Sequence, residues 1–299
     1  MEIHFIGVGK MGMPMALHLS AGGHAVSVSD PDLERLALAS TQGLAIAAQD
    51  GDAAAALAEA EIVFSSLPHD AALLDVAASV ARLARRGATF IDTSTVSQGA
   101  SSEAAAFLQG TGIAYLRCTV SGNNKMAEAA QLTVMASGPR TAYDAALPLL
   151  QAFGPNQFYL GENEEARLMK LVVNLMIAQT SAMLAEALAL GRKGGLGWRD
   201  MWQVLGASAV ASPILKAKAA QLSERDFTPT FTVAQMLKDL NLILDAGQAS
   251  HVPLPQTAMT LQLMQAAMAQ GDAADDYAAI IKSVERSAGL STQLTIERY

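Results

Sequence analysis

Lys170 and Asn174 stand four residues apart in the apolar stretch Leu168 to Gly191, which reads as helix, so both side chains share one face. A lysine set among Leu168, Met169, Leu171 and Val172 is expected to be partly desolvated, which suits its amine to acid/base work. Oxidising an alcohol needs a base that takes the hydroxyl proton as hydride leaves the carbon, and reduction needs the same group to return it. Asn174 would orient the hydroxyl or the lysine. The plainer alternative is a lysine whose stem lies along the apolar face and whose head reaches solvent, with Asn174 a surface amide.

A second constellation lies at the start. Gly7-Val8-Gly9-Lys10-Met11-Gly12 follows a short β-branched run and opens a helical pattern, the G-x-G-x-x-G arrangement in its meaningful context. The first glycine permits the tight turn, the second admits a pyrophosphate, and the third allows close helix–strand packing. Asp30 closes the next strand, where a carboxylate can hold the adenine ribose hydroxyls, which favours NAD, with NADP possible through Arg35. Asp30 also suits a helix N-cap ahead of Pro31, and the two roles are compatible.

These residues need elements to carry them. Runs at Ile3–Ile6, Ala25–Ser29, Glu61–Ser66, Thr89–Ile91, Ala114–Leu116, Leu132–Ala136 and Gln157–Leu160 read as strands. Met13–Ala21, Pro31–Ser40, Ala71–Arg85, Gly99–Leu108 and Thr141–Phe153 read as helices between them. The alternation predicts a Rossmann-type, doubly wound, mostly parallel α/β sheet over residues 1–161. Residues 162–299 read as an all-helical domain, headed by a long helix from Glu164 to Lys193 and ended by Gly194-Gly195. Helices are expected at Trp198–Leu205, Pro213–Leu222, Val233–Ser250, Gln256–Gln270 and Tyr277–Ala288.

Composition narrows the function. The chain of 299 residues is 51% hydrophobic and carries a formal net charge of −8 without a basic block, so neither disorder nor nucleic-acid binding is expected. The apolar stretch around Leu168 to Gly191 includes Lys170, Asn174, Gln179 and Glu186, so it reads as a core helix and no membrane partner is expected. One cysteine, Cys118, and an opening Met1–Ile6 without the features of a secretory leader fit a cytoplasmic protein. Cys118 reads as a small packed residue. The five histidines have no metal-ligand spacing, so no metal is expected, and His69 reads as a helix-start residue.

Taken in order, the motifs resemble those of the β-hydroxyacid dehydrogenase family along nearly the whole chain. Gly7–Ala16 is similar to the family's cofactor loop, Ser66-Leu67-Pro68 to the segment lining the dinucleotide cleft, and Asp92–Thr95 to the D-x-S-T segment. Val120-Ser121-Gly122 matches the core of the substrate-carboxylate loop, Lys170 and Asn174 the K-x-x-x-N of the catalytic helix, and Phe231 with Lys238-Asp239-Leu240 a later cofactor-facing segment. The resemblance implies a hydride transfer between a nicotinamide dinucleotide and a small 3-hydroxy acid or its semialdehyde, with Lys170 as general acid/base. It implies Gly7, Gly9, Lys10, Met11, Gly12, Asp30, Leu67, Pro68, Thr95 and Lys238 as cofactor residues. Ser121, Gly122, Asn123 and Asn174 would serve a carboxylate-bearing substrate, and the helical half would form the interface of a homodimer or homotetramer. For Lys238 the alternative is an ordinary salt link with Asp239.

The chain departs from the family's D-A-P-V-S-G-G stretch, reading Arg117-Cys118-Thr119-Val120-Ser121-Gly122-Asn123. Asn123 brings a side chain where the family has none, and Arg117 either attracts a second anionic group or faces solvent. Lys125 and Leu132–Gly138 resemble the L-threonate dehydrogenase branch locally, with a solvated loop lysine as the alternative for Lys125. Two other functions share such a fold. Imine reductases place other residues where Lys170 stands, and non-catalytic dinucleotide-binding relatives lose that lysine.

Overall fold

The computed structural model describes residues 1–47 and 50–292. Within it the chain divides into two compact units, Met1–Lys170 and Leu171–Tyr299, so the division falls inside the long helix.

The first unit alternates β1 (Glu2–Ile6), α1 (Gly12–Ala21), β2 (Ala25–Ser29), α2 (Leu33–Thr41), β3 (Ala45–Ile46), α3 (Asp50–Glu59), β4 (Ile62–Ser65) and α4 (Asp70–Leu83). It continues through β5 (Thr89–Asp92), α5 (Gln98–Leu108), β6 (Ala114–Ser121), α6 (Asn124–Glu128), β7 (Thr133–Ser137), α7 (Arg140–Gln151) and β8 (Asn156–Tyr159). The eight strands form one sheet in the order β3-β2-β1-β4-β5-β6-β7-β8, parallel throughout except where β7 runs against β6. The order reverses between β1 and β4, the switch point at which such sheets open a crevice for ligands beyond the strand C-termini.

Side chains alternate across the sheet with the strand period of two. Ile62, Phe64 and Ile91 join Phe5 and Leu19 in one buried cluster, while Val63 and Phe90 join Leu73 and Val96 in another. Both faces are thus apolar, as the near-continuous hydrophobic strands require. Phe5 and Phe64 stack at 5.5 Å on neighbouring strands.

The second unit is helical and, among the described residues, contains no strand. α8 (Glu165–Lys193) continues into it from the first unit, followed by α9 (Trp198–Ala207), α10 (Pro213–Leu222), α11 (Val233–Ala249), α12 (Pro255–Ala267) and α13 (Ile280–Ser287). α8 is long and apolar enough to cross a membrane by length and composition, yet Ala178, Leu184, Ala185 and Leu188 lie in the core of this unit. Trp198 and Trp202 pack edge to face at 5.8 Å in the same core. The buried Glu285 carboxylate ties α13 to the rest, accepting from Arg192 at 2.5 Å and from Arg225 at 2.6 and 2.8 Å.

Several expectations need adjusting. α2 begins at Leu33, capped by Asp32, whose carboxylate accepts from the Glu34 and Arg35 amides; Asp30 is therefore not the cap. β6 runs on to Ser121, five residues past the expected end, and β3, α3 and α6 lie where no element was expected. α12 stops at Ala267, where a π turn with Gly271 at φ +95° breaks the helical path. Of the short tail Ser291–Tyr299, residues 293–299 lie outside the described residues.

His4 on β1 is buried, with Nδ1 2.9 Å from the Ser27 hydroxyl and Nε2 3.0 Å from that of Ser29. Burial lowers its pKa to about 4. The unfolded chain takes up a proton near pH 6.5 and the folded chain resists until about 4, so this contribution is intact above 6.5 and lost as pH falls towards 4. Urea unfolding of the wild type should lose up to about 3 kcal/mol more over that window than His4→Gln. Equal losses in the two proteins would refute the assignment.

Candidate active site

The glycine loop leaves β1 at Ile6 and enters α1 at Gly12, on the C-terminal edge of the sheet at the switch point. Gly7 has φ +90°, and a Cβ there would strike the Ser66 carbonyl oxygen; a Cβ on Gly12 would strike the Gly7 oxygen. Gly9 is open by comparison, with only the Arg35 guanidinium 3.6 Å from its would-be Cβ. No side chain caps α1, whose first residue follows Met11; the Met13 amide donates to the Gly9 carbonyl at 3.0 Å and Pro14 has no N–H, so an anion would be met by the amides ahead of Met13. Lys10 is exposed and Met11 half-buried at this turn.

Asp30 is buried under the loop. One carboxylate oxygen accepts from the Val8 amide at 2.9 Å and the other from the Asp32 amide at 2.9 Å. Arg35 lies 3.6 Å from Asp30 and 3.2 Å from Asp32, so its charge is already answered by two carboxylates. This donor set, backbone amides at a helix start beside a fixed carboxylate, fits the pyrophosphate and ribose of a dinucleotide.

Leu67 follows β4, and its amide donates to the Ser94 hydroxyl at 2.8 Å. Pro68 is exposed beside it, and His69 caps α4 by accepting from the Ala72 amide at 3.2 Å. The Ser65 and Ser94 hydroxyls both donate to one Asp92 oxygen at 2.5 Å. The other oxygen takes the Arg167 guanidinium from the first turn of α8. Thr95 follows, half-buried. Arg167 is wholly buried and also donates to the Ser94 carbonyl at 2.7 Å, the Ser101 hydroxyl at 3.1 Å and the Tyr115 phenol at 3.0 Å. Burial opposes the Arg167 charge, but Tyr115 and Asp92 beside it hold the guanidinium protonated. Burial likewise pushes the Tyr115 phenol up.

β6 ends at Ser121, which is half-buried, and Gly122 follows with φ +138°. The Asn123 side-chain oxygen caps α6 by accepting from the Met126 amide at 3.0 Å. Arg117 neither faces solvent nor awaits an anionic ligand: Nε and Nη2 both donate to Glu164, at 3.0 and 2.5 Å, over the Tyr115 ring. Cys118 is fully buried in the sheet core, and burial pushes its thiol up.

On α8, Lys170 is half-buried. The apolar jacket expected around it is partial, since Leu171 is buried while Leu168, Met169 and Val172 are exposed. In the second unit the Asn174 amide nitrogen donates to Asp239 at 2.5 Å, and Lys238 lies 3.1 Å from the other Asp239 oxygen. A carboxylate accepts only, so this bond engages the amide nitrogen of Asn174 and not its oxygen. Asn174 and Lys238 thus meet through one buried acid: the salt link to Asp239 given as the alternative for Lys238 is present, and it is the acid's bond to Asn174 that sequence reasoning passed over. Its signal was an aspartate on the same stripe as Met236, Leu240 and Ile243.

Residues 2–161 match the family model of the NAD-binding domain of 6-phosphogluconate dehydrogenase, and residues 165–284 that of the NAD-binding domain of NADP-dependent 3-hydroxyisobutyrate dehydrogenase. A 2-(hydroxymethyl)glutarate dehydrogenase of Eubacterium barkeri is 33% identical, with 97% of each chain covered. The chain belongs to the β-hydroxyacid dehydrogenase family. The 2-hydroxy-3-oxopropionate reductase of Escherichia coli is 28% identical over 95% of this chain and 97% of its own. A 3-hydroxyisobutyrate dehydrogenase structure from Salmonella typhimurium superposes with a TM-score of 0.84 at 26% identity, covering 94% of this chain and 98% of that one. As a β-hydroxyacid dehydrogenase the chain is a nicotinamide-dinucleotide-dependent oxidoreductase acting on the CH–OH group of hydroxy acids. α8 lies wholly within the second family match, as a helix of that domain.

The turn at Gly122 can be tested by stability alone. A Cβ there would lie 2.6 Å from the buried Leu132 side chain, in a backbone conformation L-residues avoid. Gly122→Ala should cost about 2 kcal/mol, a fall of about 4–8 °C in Tm by calorimetry. An unchanged Tm would mean the turn relaxes freely.

Proposed function

We propose that this enzyme passes hydride between NAD and a small 3-hydroxy acid, or the matching semialdehyde, with Lys170 as the proton-transfer group. The observation that carries the reading is the position of Lys170 and Asn174, one turn apart on the helix whose first turn is bonded into the dinucleotide-binding unit. When bound, the nicotinamide supplies the hydride acceptor or donor. In oxidation the Lys170 amine takes the hydroxyl proton, and in reduction the ammonium returns it. Asn174, its amide turned by Asp239, offers an oxygen to the reacting hydroxyl or to the lysine. The Ser121 hydroxyl and the main-chain amides at Gly122 and Asn123 hold the substrate carboxylate without adding a titrating group.

Gly7, Gly9, Lys10, Met11 and Gly12 receive the pyrophosphate, Leu67, Pro68 and Thr95 line the nicotinamide side, and Lys238 reaches the cofactor from α11. Asp30 favours NAD over NADP: a 2′-phosphate would meet a buried carboxylate whose nearest arginine is shared with Asp32. The cytoplasm suits a chain of net charge −8 whose one cysteine is buried, and no nucleic-acid or membrane partner is proposed.

The test is nicotinamide absorbance with the NAD and NADP couples separately, following oxidation of 2-(hydroxymethyl)glutarate and 3-hydroxyisobutyrate by the oxidised cofactor and reduction of 2-hydroxy-3-oxopropionate by the reduced one. Turnover of at least one with NAD preferred, and a fall of about 10²-fold or more in Lys170→Ala, is expected. Full activity in that variant would remove the lysine from the mechanism.

A second copy of the chain is proposed as the partner. On α8 Val172, Met176, Met183 and Leu190 are exposed at spacings of four and seven, an apolar stripe of the kind that seals against another helix. In sedimentation the wild type should be a dimer or tetramer and the Met176→Glu/Met183→Glu double variant smaller; an unchanged size would place the interface elsewhere.

A further inference from the structure

We propose that Arg167 is a positioning residue that sets the turn of α8 bearing Lys170 against the Leu67–Thr95 side of the dinucleotide cradle; this rests on the reading of Lys170 given above. Arg167 lies three residues before Lys170, and all of its side chain is buried. Its three nitrogens reach four groups on three other segments: Asp92 and the Ser94 carbonyl after β5, Ser101 on α5, and Tyr115 on β6. From Ser94 one further bond reaches the Leu67 amide. The helix turn and the loop after β4 are therefore two linked contacts apart, through a planar fork whose donors have fixed directions.

The other anchors of α8 lie earlier and grip a different part of the sheet. Glu164 pairs with Arg117, the Ala166 carbonyl accepts from Thr119 at 2.9 Å, and the Asn163 carbonyl from Ser137 at 2.7 Å. Those hold the helix start to β6 and β7, whereas Arg167 alone among them extends the attachment to the segments after β4 and β5. An ångström of misplacement at a proton-transfer group can cost about 10²-fold in rate, so the direction of this turn matters to chemistry beyond its share of stability.

Because the earlier anchors remain, Arg167→Lys is expected to fold. It keeps the charge and loses the fork, since one ammonium cannot satisfy four diverging partners. With NAD and whichever of 2-(hydroxymethyl)glutarate and 3-hydroxyisobutyrate the wild type oxidises faster, kcat should fall tenfold or more. KM for the acid and Kd for NAD should stay within threefold. The isotope effect on kcat with substrate deuterated at the carbinol carbon should rise, as the chemical step becomes rate-limiting.

Should Arg167→Lys not fold, the Arg167→Met/Asp92→Asn pair, which removes both buried charges together, carries the same expectation. A folded variant with wild-type kcat, or one whose loss is entirely weakened NAD binding, overturns the proposal. Lys170→Ala measured alongside separates the two claims. If it stays active the lysine reading fails; if it is inactive while Arg167→Lys is unimpaired, only the role of Arg167 falls. Wild type inert towards both acids and towards 2-hydroxy-3-oxopropionate overturns both.

Discussion

A guanidinium and a carboxylate taken fully out of water each cost several kcal/mol, and their attraction offsets this only when every remaining donor and lone pair is used. Arg167 and Asp92 approach that condition, with four of the five guanidinium N–H groups and three of the four carboxylate lone pairs engaged. The arginine divides its donors among Asp92, Ser94, Ser101 and Tyr115, and Asp92 fills its second oxygen with the Ser65 and Ser94 hydroxyls. Such a network has few alternative arrangements, because displacing any member strands a buried polar atom. The ends of β4 and β5, the starts of α5 and β6 and the first turn of α8 are fixed against one another by one set of bonds. The Leu67–Thr95 side of the proposed cradle and the helix turn bearing Lys170 hang from those segments.

The same logic governs the stretch where this chain leaves its family's pattern. Arg117 stands where relatives carry an acid, and it is answered 47 residues away by Glu164, with both side chains nearly buried. Removing one partner of such a pair typically costs about 3–5 kcal/mol, because the survivor is left charged in the interior. The departure at Arg117 therefore belongs to the attachment of α8, and the local change in charge does not by itself add an anion site. Cys118 and Thr119 follow suit. The thiol is packed in the sheet core and the hydroxyl bonds the Ala166 carbonyl.

What could be read from the sequence was what local chemistry decides. The glycine loop, the alternation of strands with helices and the change to an all-helical half all follow from spacing and side-chain type. β3 and α3 escaped because Ala45–Ile46 is two residues long and Asp50–Glu59 is mostly alanine without an apolar period. β6 was cut short because Arg117 and Thr119 look polar; only their distant partners make them interior residues. Asp30 and Asp32 flank Pro31 and either could cap α2 on local grounds. The Val8 amide, brought in by β1, draws Asp30 beneath the loop and leaves the cap to Asp32. Arg167, and the link of Asp239 to Asn174, were missed for the same reason: a buried charge is defined by a partner that is far away in the chain.

With the cradle and the lysine held so firmly, substrate choice falls to few groups. Asn123 replaces a glycine of the family's loop, but its side-chain oxygen is committed to the Met126 amide as the cap of α6. What it can present is the amide nitrogen, a donor. A donor beside the Ser121 hydroxyl and the Gly122 turn suits carboxylate or hydroxyl oxygens. Under the proposed reading the substitution adds a hydrogen-bonding group to the loop without adding a charge that would have to be neutralised when the site is empty. Gly122 adds no side chain beside it. Leu132 packs where a side chain would otherwise go, so the main chain itself remains the contact surface.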